Sequence, residues 1–597
     1  MSNISKIKRE KMLKYLDSLK AIHNDDESIK MFNEIEDSLA EKKYGLIFEE
    51  HTEQVDELLE NNIPILTEDK NRVLIKDKSK PVNFIIEGDN LQALYLLEKT
   101  HRGKVDCIYI DPPYNTGARD WKYNNDYVDI NDTYRHSKWI SMMKRRLEIA
   151  KKLLKSDTGV LICAIDDNEL NRLGLLLEDL FPLKKITPVT VVHNPSGTQG
   201  NNFSYNNEFL LFVYNANIVS IMPEERDDEN ADIRPFMNGA KGKSGNYLRT
   251  SGANTFYPII VKDNRIIGFG NVCDNAYHPN RVEQIDDKYY IYPIDNNGVE
   301  RKWLFARDSV DAISSELFIK TEKNGFPVIY RKKNRINHKT VWLNPEYNAK
   351  NYGTILVKNV LNRDFPFPKS LYAVKEALKS CVEFNKNAVI LDFFAGSGTT
   401  LHAVNLLNAE DDGNRKCIIV TNNEVSENEE RVLSNQGYKK GDFEWESLGI
   451  AHYITWPRVK CFITGNDIDG RPIVGNYLKS NLLMSKGFKE NVKYLKCSWT
   501  PRKPDDHLLS NVLMMHTKEM IELQNFIEID NEKNVLILNK NDVKKYLLNP
   551  SSFDKIEKMW INQNIVLNSF EMKLLKQKDF RYVPKEFFGD ELKEAAE

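Results

Sequence analysis

Short apolar runs alternate with stretches of helical period in two separated parts of the chain. Val82–Glu87 (VNFIIE) predicts a strand, and after Gly88-Asp89-Asn90 the leucines at 91, 94, 96 and 97 predict a helix. KVDCIYI at 104–110 predicts a second strand and 137–154 a second helix. GVLICAI at 159–165 and the run 168–180 repeat the pair. The rhythm is lost from about Pro188 to Val357, where Asn, Gly, Tyr and Lys accumulate, as in NPSGTQGNNFSYNN at 194–207. It resumes with AVILD at 388–392, a Gly-rich turn, a helix from about Thr400 to Leu407, and a strand over 416–421. Strands of this kind alternating with helices predict an α/β fold, a parallel sheet covered on both faces. The sheet is encoded in two pieces around a central insert.

Five regions follow. Residues 1–80 read as a helical region whose charged segment 42–80 ends in a linker, and 81–187 as the first part of the sheet domain. Residues 188–357 form the insert and 358–456 the second part. Residues 457–597 mix helix-like and strand-like runs whose pattern assigns no fold. At 597 residues with 41% hydrophobic and 29% charged residues, the chain reads as globular and multidomain. No run of eighteen apolar residues predicts a membrane span, and the charged N-terminus lacks the apolar run of a secretory signal. The seven cysteines form no CxxC pair; Cys107, Cys163 and Cys417 sit in apolar strands as core residues, which fits a reducing cytoplasm and a protein with no metal site. The formal net charge of -3 argues against a chain that simply coats nucleic acid, but not against a local basic cleft.

Two loops carry candidate chemistry. Asp111-Pro112-Pro113-Tyr114-Asn115-Thr116-Gly117 follows a predicted strand, where parallel sheets bind ligands. Two prolines remove two N–H donors and leave carbonyls free to face an amino group. Asp111 offers a further acceptor and Tyr114 a ring face for stacking. In Asp392-Phe393-Phe394-Ala395-Gly396-Ser397-Gly398-Thr399-Thr400 the glycines permit a tight turn and close ligand approach. The dinucleotide pattern fails because position 401 is Leu, and no phosphate-loop pattern occurs, GAKGKS at 239–244 included. Glu424, beyond the strand CIIVTNN, stands where an acid accepts from ribose hydroxyls.

With IEGDNLQALYLL at 86–97 and FPFPKSL at 365–371, these loops resemble the motifs of beta-class amino-methyltransferases acting on DNA. The order matches too: DPPY precedes the insert and the FxGxG loop follows it. The chain is most similar in texture to the modification subunits of type III restriction systems. That resemblance implies a Rossmann-like class I methyltransferase fold, circularly permuted, with S-adenosyl-L-methionine as cofactor. It implies that Asp111, Pro112, Pro113 and Tyr114 hold a flipped adenine. Phe393, Ala395, Gly396 and Gly398 would form the cofactor loop, supported by Asp392. Asp89 would lie near the cofactor adenine, Lys369 near its methionine end (with PKS for the usual PKP), and Glu424 at its ribose. Aspartate at 111, where cytosine-N4 enzymes often carry serine, tilts the comparison toward adenine N6. The insert becomes the target-recognition region, with Lys241, Lys243, Arg249, Arg331, Lys332, Lys333 and Arg335, besides His338 and Lys339, as candidate contacts to double-stranded DNA. A homodimer fits the relatives. No translocase loop or nuclease cluster is evident, so a restriction (Res-like) subunit would supply cleavage. The competing expectations are an amino-methyltransferase acting on RNA or protein, and a DNA-binding module that has lost catalysis.

Overall fold

The computed structural model describes residues 4–20, 22–23, 25–40, 48, 52–123, 126–129, 132, 134–226, 228–229, 231–240, 245–252, 254–321, 327–502 and 512–588. The chain divides into two compact units: residues 1–220 with 340–597, and residues 221–339.

The first unit is built on a ten-stranded sheet. Its strands are β1 Asn62–Leu74, β2 Val82–Glu87, β3 Cys107–Ile110, β4 Val160–Ile165, β5 Lys185–Val192, β6 Asn207–Tyr214, β7 Val341–Trp342, β8 Val389–Asp392, β9 Lys416–Thr421 and β10 Asn491–Pro501. They lie in the order β1-β10-β2-β9-β8-β3-β4-β6-β5-β7. Neighbours from β10 to β4 are parallel, whereas β6 runs antiparallel to both β4 and β5. The central strands are apolar on both faces; Phe84, Ile85, Ile86, Ile108, Leu161, Ile162 and Ile418 are all fully buried. This is what a sheet covered by helices on both sides requires.

From β8 the chain crosses through the helix Thr399–Asp411 to β9 on one side. From β3 it crosses through Arg135–Leu153 to β4 on the other. Right-handed crossovers running in opposite directions place their helices on opposite faces. Helices Asn90–His101, Arg135–Leu153 and Leu170–Leu180 pack in sequence, and Leu371–Val382 and Trp456–Thr464 pack on Thr399–Asp411. Between β8 and β3 the direction of crossing reverses, which makes their carboxyl ends the switch-point crevice at which open α/β sheets bind ligands. The architecture is the Rossmann-like one expected, with its strands supplied in permuted chain order.

Three segments differ from the sequence reading. The region 1–80, read as helical up to its closing linker, contains β1, paired antiparallel with β10 from Asn62↔Pro501 to Leu74↔Val492. The centre of β1, TEDKNR, hides the strand because Glu68 serves a buried ion cluster rather than solvent. The insert is also narrower than 188–357. Residues 185–214 form a hairpin that completes the large sheet, its apolar residues Leu210, Leu211, Phe212 and Val213 buried there. Finally, the tail is α/β: β10 joins the sheet, and Asn534–Ile537, Lys558–Ile561 and Asp579–Tyr582 form a three-stranded parallel sheet. Val535, Ile537, Val543, Leu547, Met559 and Leu575 fill its core.

The second unit contains a four-stranded antiparallel sheet (Ile259–Lys262, Arg265–Phe269, Val282–Ile285, Lys288–Ile291) and a three-stranded one (Asp232–Pro235, Leu317–Thr321, Pro327–Lys333). Phe236, Tyr257, Trp303, Val310 and Ile329 form its core. Among the described residues, no helix is long and apolar enough to cross a membrane.

Candidate active site

Asp111 leaves the carboxyl end of β3, and the loop after it is pinned at two points. The Trp139 indole, wholly buried, donates to the Pro113 carbonyl at 2.7 Å. Asn115 adopts a left-handed backbone with φ 56°, and its buried amide donates to Glu169 at 2.5 Å. Glu169 is itself wholly buried and bound by the His136 ring. Asparagine tolerates that backbone better than most residues, so DPPYN is held in one shape before any ligand arrives.

A compact ionic group faces this loop. The Lys369 ammonium donates to Glu208 at 2.5 Å and to the Tyr114 hydroxyl, and lies 3.3 Å from Asp111 Oδ1. It sits 4.5 Å from the centre of the Tyr114 ring. The Tyr114 hydroxyl in turn donates to Glu208 Oε2 at 3.0 Å. Burial raises the Asp111 carboxyl above its ordinary value, and Lys369 only partly opposes that. In Glu208 burial acts the same way, but Lys369 and His193 outweigh it and the carboxyl is lowered. Lys369 is disfavoured by burial yet raised by Asp111 and Glu208, so it stays charged. In this structure Lys369 is therefore engaged by the DPPY loop.

The glycine loop leaves β8 across the crevice. Gly396 and Gly398 have φ of 49° and 82°. A Cβ built on Gly396 meets nothing nearer than Phe365 at 3.9 Å, so that position is open. The loop is braced by residues at the end of the second part of the domain and the start of the tail. The Thr455 hydroxyl donates to the Gly396 carbonyl at 2.6 Å. Arg458, buried, donates to the Ser397 and Thr399 hydroxyls at 2.6 and 2.8 Å. From the other side, the Asn90 amide donates to the Phe393 carbonyl at 2.9 Å.

Asp392 accepts from the Thr400 hydroxyl at 2.5 Å and from the Phe394 N–H at 2.9 Å. Burial pushes its carboxyl up to about 7, with the Asp111 charge adding to the effect. Unfolded, an aspartate titrates near ~3.9. The folded chain therefore keeps a proton that the unfolded chain releases between those values. The stability this group contributes is fully present at acid pH and falls as pH rises to about 7. Comparing thermal midpoints of the native protein and Asp392→Asn from pH 5 to 8 tests this. The native protein is expected to lose ground to the variant as pH rises, and a pH-independent difference contradicts it.

Asp89 caps the helix Asn90–His101, accepting from the N–H groups of Leu91 and Gln92 at 2.7 and 3.3 Å. Glu424 is exposed, three residues beyond the end of β9. Glu87, the last residue of β2, accepts from Tyr494 at 2.7 Å and pairs with His452 at 2.8 Å. Burial alone would raise its carboxyl, but those two bonds hold it down at about 2.

The basic residues assigned to DNA fare unevenly. Lys241 and Lys243 lie outside the described residues. Arg249 is buried, donating to the carbonyls of Tyr277 and Asp274 at 2.8 and 2.6 Å and stacked over Phe256 at 3.9 Å. It holds the insert together, and its guanidinium is not available to a phosphate. Arg331 is bound to Glu316, Lys332 to Asp228 and Arg335 to Glu225, at 2.6, 2.6 and 2.7 Å. Lys333 is half-buried at the end of its strand.

Comparison with known proteins matches residues 105–424, more than half of the chain, to the DNA methylase family. The chain belongs to that family. The matched stretch begins just before β3 and ends at Glu424, so it encloses both loops of this methylase. The type II methyltransferase M.KpnI of Klebsiella pneumoniae is 32% identical over 56% of the methylase and 79% of its own length. The EcoPI Mod subunit of a type III restriction-modification enzyme from Escherichia phage P1 is 28% identical over 63% of the methylase. The methylase spans 64% of that subunit's length. The StyLTI Mod subunit of Salmonella typhimurium is 27% identical over 64% of the methylase and 59% of its own length.

Sequence reasoning missed Trp139, Glu169, Glu208, Thr455 and Arg458 in the methylase. Glu208 carried the best signal, a lone carboxylate immediately ahead of the apolar run FLLFV. Thr455 and Arg458 lie in and just past the second part of the domain, and nothing local links them to the glycine loop.

Proposed function

We propose that this methylase transfers a methyl group from S-adenosyl-L-methionine to the N6 amino group of adenine within a short DNA sequence. The observation that carries this reading is the meeting of the DPPY loop and the open glycine loop at one switch-point crevice. The residues present suit the cofactor. Gly396 and Gly398 leave room for close approach, Asp89 and Glu424 offer acceptors beside neighbouring strand ends, and Phe393, Ala395 and Asp392 shape the turn. When bound, the cofactor supplies a methyl group on a positively charged sulfur.

The chain's own contribution is electrostatic and geometric. The Pro113 carbonyl is committed to Trp139, so we assign the amino group's acceptors as Asp111 and the Pro112 carbonyl. Both favour an N6 nitrogen that becomes more positive as its lone pair is used. The fixed loop adds orientation. The target base must leave the helix stack to reach this depth, and Tyr114 offers it a ring face. The insert serves as the target-recognition domain, with Arg331, Lys332, Lys333 and Arg335 on adjoining strands as the candidate phosphate contacts. Their ion pairs would exchange acidic partners for phosphate. Double-stranded DNA is the substrate, two chains associate, and a Res-like subunit performs cleavage where the system restricts.

The test is methyl transfer from labelled cofactor to duplex DNA, with the product digested to nucleosides and identified by mass. N6-methyladenine is expected; N4-methylcytosine alone, or label only in RNA or protein, overturns the assignment. Gly396→Val tests the cofactor loop. A Cβ there meets nothing nearer than 3.9 Å, but at φ 49° a side chain strains the backbone, so thermal unfolding of the variant is measured first to establish that it is folded. Its cofactor affinity by calorimetry should fall about tenfold or more, the equivalent of ~1.4 kcal/mol. A folded variant with native affinity contradicts the loop assignment.

A further inference from the structure

In the crevice Asp111 and Glu208 face the same ammonium, which is not shared equally. Lys369 lies 2.5 Å from Glu208 but 3.3 Å from Asp111. Glu208 receives a second donor, the Tyr114 hydroxyl at 3.0 Å. Glu208 stands on β6, Asp111 follows β3, and Lys369 precedes the helix Leu371–Val382. Three separate parts of the fold are thus needed to assemble the group, which a solvated surface charge does not require.

We propose that Glu208 is a positioning residue for the transfer: it captures the Lys369 ammonium and so leaves Asp111 the stronger proton acceptor in the pocket. The proposal rests on the adenine-methyltransferase reading and deepens it. Methylation leaves an excess proton on N6, which passes to a carboxylate and then to water. A carboxylate held tightly by an ammonium accepts that proton poorly. With Glu208 in place, Lys369 has a closer anion to satisfy, and Asp111 keeps its lone pairs for the amino group. The opposite titration tendencies of the two acids agree: Asp111 is raised, mainly by burial, whereas in Glu208 Lys369 outweighs the same effect. The other charged or titratable groups around them are Tyr109 on β3, Asp166 after β4, His193 after β5 and Asp392 on β8. Tyr114 bonds to Asp111 and Glu208 alike, and among the described residues none of those four groups hydrogen-bonds to Asp111, so Glu208 and Lys369 are the pair to vary.

The experiment titrates Asp111 itself in the full chain without cofactor or DNA. Infrared difference spectra of protein carrying 13C-labelled aspartate, taken against Asp111→Asn, isolate its carboxyl band. In Glu208→Gln, Lys369 is released to Asp111 and a neighbouring negative charge is lost. Both changes lower the Asp111 midpoint, by about one pH unit or more for an opposite charge at contact distance. Glu208→Ala should move it in the same direction, and Glu208→Asp should return it toward the native value. A second readout is the acid limb of single-turnover methylation, which should shift to lower pH in the neutral variants while the plateau rate falls. An unmoved or raised Asp111 midpoint in both neutral variants overturns the proposal, as does a lowered one that Glu208→Asp fails to restore. Because the titration needs no turnover, its result is separate from whether the chain methylates adenine.

Discussion

Asp111→Ala loses methyl transfer by about 10²- to 10³-fold, the scale set by removing one preorganised polar group from a transition state. Cofactor affinity changes little, because the cofactor loop is braced by Thr455, Arg458 and Asn90 and not by Asp111. The loss therefore falls on the rate at saturating cofactor. Asp111→Asn keeps one acceptor oxygen but not the charge, and its rate should lie between alanine and native. The check is single-turnover methylation of duplex DNA, with cofactor binding measured separately on the same samples. Native rates in the alanine variant would remove Asp111 from the mechanism. Equal losses in rate and cofactor affinity would instead make it a folding residue.

Lys493→Met destabilises the methylase by about 3–5 kcal/mol, the usual result of removing one partner from a buried charge group. Lys493 on β10 is 1% exposed, and its ammonium reaches both Glu522 oxygens at 3.0 Å and Glu68 on β1 at 2.9 Å. Glu522 lies on the helix Thr517–Asn525, so the lysine ties the outer strands to the helix packed against them. Burial pushes the Glu522 carboxyl up to about 7 even with Lys493 and Lys518 beside it. Among the described residues, Glu68 without Lys493 keeps its ion pair to Lys518 at 2.8 Å. Changing Lys493 to Met together with Glu522 to Leu removes charge and partner at once and should recover much of the loss. Thermal unfolding of the three proteins checks this; an unchanged midpoint in the single variant contradicts the cluster's role.

The two loops of the candidate site were legible because they are written in residues with strong backbone consequences. Paired prolines in DPPY, and glycines at 396 and 398, restrict what each loop can be, and their order around an insert restricts the fold. What escaped reading was contributed across long sequence distances. Glu208 is one acid ahead of an apolar run until Lys369 is brought beside it, 161 residues later. Arg458 is an ordinary helix residue until it is seen under Ser397 and Thr399. The charged stretch 67–72 was read as part of a helical region and not as a strand, because a buried ion cluster uses the same residues as a solvated surface. The reverse error occurred at Arg249, whose charge suggested DNA although its guanidinium is spent on carbonyls inside the insert. Charge alone does not separate these cases; the partner does.

The central claim is tested most directly by sequencing single DNA molecules from a methylation-free bacterial host that expresses this chain alone, beside a host expressing Asp111→Ala. The account predicts N6-methyladenine at one short motif with the native chain and none with the variant. Unmodified DNA from a host producing the folded native chain, or adenine methylation that persists with Asp111→Ala, would contradict it.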